Sequence, residues 1–340
     1  MMYKFFQLDT ADNRRKLLSR ARQVALTAIQ MYELEWERIR FIQLSDTITY
    51  KMETATGKYL LRIHSDQYSK EQISSELDLL KELNKSDDLT VPEGIASSDG
   101  SYVLEINTEA GYCRPCVTIM RWVEGEHAGG QLTDNCIFRM GVLMGRIHQV
   151  AGRFSPPPAF NRPVWGADSF SSKMAQLERS YTCFLSDKAW QLYQAAANKI
   201  LSQLVLMDPN DNSYGLIHAD LHMGNYVFNE ELPYAIDFGR CGYGYFLYDL
   251  ASTILGLKPE DRRTFIQGYE SVKTLQSDFT RYLECFFVMV MIENYCHHAA
   301  DPRETSNLIS EQPYAQAYLR EFLSDTSFIF DMIQPERGFI

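Results

Sequence analysis

The stretch LIHADLHMGNYVF at residues 216–228 decides how the rest of the chain is interpreted. It sets a histidine, Asp220 and Asn225 between two apolar runs, and a second aspartate, Asp237, follows in the segment AIDFGR at 235–240. The apolar flanks predict two strands. Because carboxylate and amide groups are costly to desolvate without a partner, this density of polar groups between strands indicates a site that binds a ligand.

Composition limits the class of protein. The chain has 340 residues, enough for two lobes, and its 45% hydrophobic and 23% charged residues are typical of a globular protein. Seven cysteines without a framework spacing indicate a reducing, cytoplasmic compartment, and the CxxC of Cys113 and Cys116 lacks further metal ligands nearby. The longest apolar run, CFFVMVMI at 285–292, is too short to span a bilayer, so no membrane partner is expected.

The net charge is unevenly distributed along the chain. It is −11 in total, and residues 201–340, with 9 Lys and Arg against 20 Asp and Glu, account for all of it. An acidic chain is not expected to bind nucleic acid, because the phosphate backbone repels it. The acidic half is either ordinary solubility charge or a lobe that attracts cations such as metal ions and amines.

The first part of the chain alternates helical and strand-like patterns. They predict a helix at 13–32, two or three antiparallel strands within 39–64, a helix at 69–86, and strands at 100–109 and 114–126. Gly125 and the pair Gly129-Gly130 then interrupt the pattern. We therefore expect residues 1–125 to form a small lobe with an antiparallel sheet.

Helical patterns dominate from residue 126 to residue 340. They predict a helix from Asp134 to His148, a proline-rich loop at 155–170, helices within 171–206, the strand pair at 214–237, and helices from 249, at 276–300 and at 313–325. The fold class expected is α+β, with the second lobe, 126–340, larger and mainly helical.

The spacing of the polar residues resembles that of a known superfamily. His218-x-Asp220, then Asn225, then Ile236-Asp237-Phe238-Gly239, resembles the catalytic and metal-binding segments of protein-kinase-like enzymes. Within that superfamily the chain is most similar to the aminoglycoside phosphotransferase and choline kinase branch, near type II homoserine kinases and hydroxylysine kinases. The resemblance implies a bilobal protein-kinase-like fold that binds ATP and Mg²⁺ in a cleft between the lobes.

The resemblance also implies roles for individual residues of the second lobe. Asp220 is expected to be the catalytic residue that accepts or orients the proton of the acceptor hydroxyl. Asn225 and Asp237 are expected to offer oxygen ligands to Mg²⁺. His218 is expected to be a structural hydrogen-bonding group, and Asp249 to hold the catalytic loop in place.

In the small lobe, the strand GKYLLRIH carries Arg62 where such kinases place a phosphate-binding lysine. Arginine keeps the charge but changes the geometry of the contact. Glu76 matches the glutamate that pairs with this cation. Two further groups are expected to contact nucleotide: the turn of Ser45, Asp46 and Thr47, which stands where a glycine-rich loop is missing, and the linker of Arg121, Trp122 and Val123, whose backbone faces adenine.

The acceptor is expected to be a small alcohol. Asp249 follows Asp237 by 12 residues, which leaves no room for a peptide-docking segment. Candidate pocket walls are Trp165, Tyr243, Glu293, Asn294 and His297. Their aromatic rings and the acidic second half favour an amine-bearing acceptor, namely an aminoglycoside, an amino alcohol or a hydroxy-amino acid. The i, i+4 spacing of Glu293 and His297 would also suit two zinc ligands, although no third is evident.

Two other functions remain open at this point. Arg62 and the missing glycine-rich loop are compatible with a nucleotide-binding pseudoenzyme or regulator, although such a protein would not need Asp220, Asn225 and Asp237 together. A compact bacterial protein Ser/Thr kinase is the third possibility, disfavoured by the short segment after Asp237. The identity of the acceptor and the oligomeric state stay open.

Overall fold

The structure, a computed structural model, describes residues 3–109 and 111–335. It divides into two compact units: unit 1 comprises Met1–Glu124 and Phe154–Arg162, and unit 2 comprises Gly125–Arg153 and Pro163–Ile340. The segment 154–162 thus groups with unit 1, although the sequence analysis placed it in the second lobe. Hydrogen bonds to the helix after the third strand hold it there, from Asn161 N to Ser75 Oγ (2.8 Å) and from Arg162 Nη1 to Gln72 O (2.9 Å).

Unit 1 is an antiparallel sheet with two helices. Its elements are α1 (Ala11–Ile29), β1 (Trp36–Leu44), β2 (Thr47–Thr54), β3 (Gly57–His64), α2 (Lys70–Leu83), β4 (Glu93–Ile95), β5 (Leu104–Glu105) and β6 (Cys116–Arg121). The strand order is β1-β2-β3-β6-β4, and β5 also pairs with β6. Ser69 begins α2 with a capping box that includes Gln72.

The sheet of unit 1 has one apolar and one polar face, because side chains alternate along each strand. Buried side chains such as Ile48, Leu61 and Ile119 share a core with α1. The opposite face carries polar residues that are also buried, among them Thr49, Arg62 and Thr118. This second face is the one that needs a polar partner.

Unit 2 is mainly helical. Its elements are α3 (Asp134–Ala151), α4 (Ala167–Leu177), α5 (Asp187–Leu206), β7 (Tyr214–Ile217), β8 (Tyr226–Asn229), β9 (Leu232–Ala235), β10 (Gly242–Tyr245), α6 (Phe246–Leu255), α7 (Pro259–Glu270), α8 (Phe279–His298) and α9 (Thr305–Leu323). The strands form two small antiparallel pairs, β10 with β7 and β8 with β9.

Helix α8 is the core helix of unit 2. It packs against α4, α5, α6 and α9, and its apolar run at 285–292 is buried along its whole length. Among the described residues, no helix combines the length and the apolar character needed to cross a membrane.

Helices α3 and α7 approach each other very closely, and glycines make this possible. A Cβ atom at Gly141 would lie 2.0 Å from the backbone oxygen of Phe265, and one at Gly268 would lie 2.0 Å from that of Phe138. Any larger side chain would separate the helices. The close packing matters for the site because α3 also supplies His148, described below.

Several predicted boundaries are wrong. The strand expected at 100–109 is reduced to β5, and the helix expected at 313–325 is α9, which begins eight residues earlier. The loop expected at 155–170 ends earlier, because α4 begins at Ala167. The prolines that suggested a loop all precede this position, and Ser169 Oγ accepts a hydrogen bond from Gly166 N at the start of the helix (2.8 Å).

Candidate active site

The loop after β7 has a strained backbone. Ala219, between the histidine and the aspartate of the motif, has φ 61°, and Asp237, after β9, has φ 63°. Residues other than glycine rarely adopt this left-handed conformation, which costs about 1–3 kcal/mol at each position. The surrounding contacts must therefore hold both residues in place.

Asp249, on α6, holds Ala219 in its left-handed conformation. Its carboxylate is fully buried and accepts hydrogen bonds from His218 N and Ala219 N, each 2.7 Å long. His148 Nε2 lies 3.0 Å from the same carboxylate, and Tyr269 Oη lies 3.0 Å from His148 Nδ1. Burial lowers the pKa of His148, although Asp249 acts in the opposite direction. This geometry fits the loop-holding role predicted for Asp249.

His218 connects the two halves of the motif. Its Nε2 lies 3.0 Å from the backbone oxygen of Ile236, and its ring packs against Phe238 with 4.3 Å between centroids. The side chain is fully buried. A structural role is consistent with this position.

Asp220 and Asn225 are brought together at the end of this loop. Asn225 Nδ2 donates to the backbone oxygen of Asp220 (2.8 Å) and lies 3.4 Å from its Oδ2. Arg240 Nη1 lies 3.3 Å from Asp220 Oδ1, in an ion pair whose side chains are 21% and 27% exposed. The carboxylate of Asp220 is thus held from two sides and still reaches solvent.

The predicted magnesium ligands have the right chemistry. Because the amide nitrogen of Asn225 is used by Asp220, its amide oxygen is the atom with which it can bind a cation. Asp237 is half-buried and supplies a carboxylate. Among the described residues, no group of three or more His, Cys, Asp and Glu could hold a metal on its own. One amide and one carboxylate fit Mg²⁺, which typically takes its remaining ligands from phosphates and water.

Unit 1 contains the ion pair expected from the sequence. Arg62 Nη1 on β3 lies 2.5 Å from Glu76 Oε1 on α2, and both side chains are almost fully buried. His64, two residues further along β3, is buried beside them. Its pKa lies well below the usual value, because of burial first and then the nearby Arg62 and Arg162. Arg62 and Arg162 therefore both bring cationic groups to this face of the sheet.

The other predicted nucleotide residues lie at the ends of strands in unit 1. Ser45 and Asp46 form an exposed turn before Thr47, the first residue of β2. Arg121 is exposed and pairs with Glu93 (2.9 Å), and Val123 is half-buried.

One backbone donor of the predicted adenine-binding linker, the N–H of Trp122, is used within unit 1. Its N–H donates to Lys58 O (3.0 Å), and Lys51 Nζ lies 4.6 Å from its ring centroid. The sheet therefore uses the one backbone donor of Trp122. An adenine edge would have to bond to other groups of the linker.

Two of the predicted acceptor residues contact each other. Trp165 N donates to the backbone oxygen of Tyr243 (2.7 Å), next to β10. The indole Nε1 of Trp165 donates to the backbone oxygen of Arg240 (3.0 Å), and the guanidinium of Arg240 lies 4.6 Å from the indole centroid. Trp165 and Tyr243 are thereby joined to the residue that pairs with Asp220.

Glu293 belongs to the same buried cluster, whereas Asn294 and His297 on the same helix are exposed. Tyr248 Oη donates to Glu293 Oε2, and the Tyr248 ring stacks on Trp165 with 6.3 Å between centroids. Glu293 Oε1 is buried and has no hydrogen-bond partner within 3–109 and 111–335. Burial raises the pKa of this carboxyl. Asn294 and His297 are exposed, so they do not share the burial of Glu293, although Glu293 and His297 lie i, i+4 on α8 as expected.

Sequence reasoning missed Arg240, Tyr248 and His148. Arg240 directly follows the Asp237-Phe238-Gly239 motif and Tyr248 directly precedes Asp249, so proximity to a motif was the available signal. Their contacts run to Trp165 and Glu293, which are far away in the chain. His148 carried no such signal.

The chain belongs to the phosphotransferase enzyme family (APH), whose profile matches residues 39–284. An uncharacterised protein of Synechocystis, sll1119, is 29% identical over 241 residues, 68% of this chain. The amicoumacin kinase of Bacillus subtilis is 24% identical over 252 residues, 67% of this chain. These matches span 64% and 66% of the length of the two relatives.

Solved structures confirm the protein-kinase-like fold. A microcompartment-associated aminopropanol kinase matches with a TM-score of 0.76 at 23% identity, over 89% of this chain and 98% of that one. The amicoumacin kinase hAmiN, in complex with AMP-PNP, Ca²⁺ and Ami, matches with a TM-score of 0.75 at 18% identity, over 92% of this chain and 96% of that one.

Proposed function

We propose that this protein is a small-molecule kinase that transfers the γ-phosphoryl group of ATP to the hydroxyl of an amine-bearing acceptor. The observation that carries the proposal is the geometry of Asp220, a partly exposed carboxylate on a loop that Asp249 holds through two backbone N–H groups. Membership of the phosphotransferase enzyme family supports it.

Phosphoryl transfer asks a protein mainly to position the reactants and to neutralise charge. When bound by Asn225 and Asp237, Mg²⁺ would neutralise charge on the ATP phosphates. Arg62, held by Glu76, supplies a cation for the phosphates. Asp220 orients the acceptor hydroxyl and takes its proton as that oxygen bonds to the γ-phosphorus, while the bond from the γ-phosphorus to the β–γ bridging oxygen breaks and ADP leaves.

The acceptor class follows from the cluster beside Asp220. Glu293 is an acidic group with one oxygen that lacks a partner in the described chain. The Trp165 ring of this cluster already contacts a cation, the Arg240 guanidinium, and Tyr243 is a further aromatic residue beside it. Carboxylates and aromatic faces both attract ammonium groups. The names of the similar kinases include aminopropanol, an amino alcohol. We therefore place an amino alcohol or an aminoglycoside first among acceptors, and a hydroxy-amino acid next.

The test is an acceptor panel read as ADP formation. The panel contains 1-amino-2-propanol, spectinomycin, kanamycin, homoserine, hydroxylysine and amine-free alcohols such as glycerol and glucose, each with ATP and Mg²⁺. We expect at least one amine-bearing alcohol to stimulate ADP formation, and Asp220→Asn to abolish the stimulation. Stimulation by amine-free alcohols alone would contradict the acceptor class. No stimulation by any compound of the panel would contradict the function.

A further inference from the structure

One buried hydroxyl on the polar face of the unit 1 sheet has no role in the contacts described so far. Thr49, on β2, is 5% exposed, and its Oγ1 is buried without a hydrogen-bond partner in the described part of the chain. Buried hydroxyls nearly always have a partner, because losing water without one is unfavourable. A group that is unsatisfied in the free protein is a candidate for bonding a ligand.

The register of the sheet places this hydroxyl beside Arg62. Thr49 is paired with Arg62 between β2 and β3, and Arg62 is paired with Thr118 between β3 and β6. Directly opposite residues of antiparallel strands lie on the same face, with Cβ atoms about 4.5–5.5 Å apart. Thr49, Arg62 and Thr118 therefore form one row across the sheet.

The two threonines of this row differ in one respect. Thr118 Oγ1 lies 2.9 Å from His64 Nε2, so its hydrogen bonding is satisfied within the protein. Thr49 has the same side chain and nearly the same burial without such a contact. The pair therefore forms a natural comparison of a structural hydroxyl with an unsatisfied one.

The hydrogen-bond donors of this row favour an anionic ligand. A guanidinium has only donors, and a hydroxyl can donate to any acceptor that approaches. The surroundings include a second arginine, since Arg162 also lies close enough to lower the pKa of His64. An oxygen of a phosphate group accepts several such hydrogen bonds at once and matches the charge.

We propose that the Thr49 hydroxyl donates a hydrogen bond to a phosphate oxygen of the nucleotide that Arg62 binds. This inference rests on the proposed function. It adds a phosphate ligand from the interior of β2 to the contacts predicted for the turn of Ser45 and Asp46 and for Thr47, the first residue of the strand. Thr49 and Arg62 are both buried, so nucleotide binding at this row requires side chains over this face to move.

The test uses three substitutions at Thr49 and one matched control. Thr49→Val removes the hydroxyl and keeps the shape, Thr49→Ser keeps the hydroxyl, and Thr49→Ala removes the hydroxyl in case the valine packs badly. Thr118→Val is the control that removes a satisfied hydroxyl. Calorimetry measures the Kd of AMP-PNP with Mg²⁺ and of adenosine, and thermal unfolding measures the Tm of each nucleotide-free protein.

We expect Thr49→Val to weaken AMP-PNP binding by about three- to tenfold, the effect of one hydrogen bond, and to leave the Kd of adenosine unchanged. Its Tm without nucleotide should equal or exceed that of the parent, because the valine removes an unsatisfied group. Thr49→Ser should bind AMP-PNP within about twofold of the parent. Thr118→Val should instead lower the Tm.

Equal AMP-PNP affinity in Thr49→Val, Thr49→Ala and the parent would overturn this inference and would mean that the hydroxyl is satisfied by water. A lower Tm with unchanged AMP-PNP affinity would overturn it as well, because Thr49 would then be structural. If the parent itself does not bind AMP-PNP, the proposed function fails. The two failures are therefore distinguishable.

Discussion

The two units carry their charged pairs in opposite ways. In unit 1, Arg62 and Glu76 are buried and lie on a regular strand and a regular helix, at 5% and 3% side-chain exposure. In unit 2, Asp220 and Arg240 are 27% and 21% exposed and lie on irregular segments with left-handed residues nearby. Burial makes the first pair important for stability, and partial exposure leaves the second available for chemistry. The substitutions below test this distinction.

The largest effect is expected at Asp220. Asp220→Asn keeps the size of the side chain and removes its basicity, so turnover should fall by about 10²- to 10⁴-fold. Nucleotide affinity and Tm should stay close to the parent, because the side chain is partly exposed. Steady-state kinetics on the best acceptor and calorimetry with AMP-PNP measure both. Turnover within about threefold of the parent would show that Asp220 is not the base.

The next effect concerns the buried pair. Glu76→Gln leaves the guanidinium of Arg62 buried without its counter-charge, which should cost about 3–5 kcal/mol of folding free energy. Chemical denaturation measures this loss. Arg62→Lys is the control: it keeps the charge and should remain folded with partial activity, because a point charge replaces a two-pronged contact. A Glu76→Gln protein as stable as the parent would remove the proposed contrast between the pairs.

Arg240 should behave differently from Arg62 although both contact a carboxylate. Arg240→Gln should change stability by less than about 1 kcal/mol, as is usual for exposed pairs. It should reduce turnover about tenfold or more, because Asp220 loses a contact that aims it. Arg240→Lys should recover part of the turnover. Unchanged turnover in Arg240→Gln would mean that Arg240 does not position Asp220.

The smallest effect is expected at Glu293 and depends on pH. Burial raises the pKa of its carboxyl above the ordinary value of 4.5. The folded protein therefore holds this proton more tightly than the unfolded chain, and stability falls as pH rises from 4.5 through the raised pKa. Glu293→Gln should remove this loss, giving a higher Tm than the parent at pH 8 and an equal one near pH 4. An equal Tm at pH 8 would contradict this assignment.

Glu293→Gln also tests the acceptor class. The variant should raise the KM of an amine-bearing acceptor and leave that of ATP unchanged, since only the ammonium loses a counter-charge. A KM for the amine equal to the parent value would place the amine elsewhere.

These contrasts also show which features were predictable from sequence. Two local patterns led to these predictions. The spacing from His218 to Asp237 predicted the fold, and the position of Arg62 directly after the three apolar residues Tyr59–Leu61 of a strand predicted the ion pair with Glu76. The contacts of Arg240 with Trp165 and the burial of Glu293 depend on packing between distant segments. Local periodicity carries no information about such contacts, so Arg240 was missed and Asn294 and His297 were grouped with Glu293.

Backbone hydrogen bonding was equally hidden. The use of the Trp122 N–H by Lys58 O follows from how far the sheet pairing extends, and the attachment of residues 154–162 to α2 follows from side chains of Ser75 and Arg162. No sequence motif predicts either contact. The lack of a hydrogen-bond partner for the Thr49 hydroxyl depends on the side chains that pack around it in the folded sheet.

The most direct test of the account follows the phosphoryl group itself. Parent protein is incubated with Mg²⁺, the best acceptor of the panel and ATP labelled with ¹⁸O in its γ-phosphoryl group, and the acceptor is analysed by mass spectrometry and ³¹P NMR. The account predicts an acceptor that carries one labelled phosphoryl group on a hydroxyl oxygen, and no such product with EDTA or with Asp220→Asn. Labelled phosphate found only in water, on protein or on the nitrogen of the acceptor would contradict it.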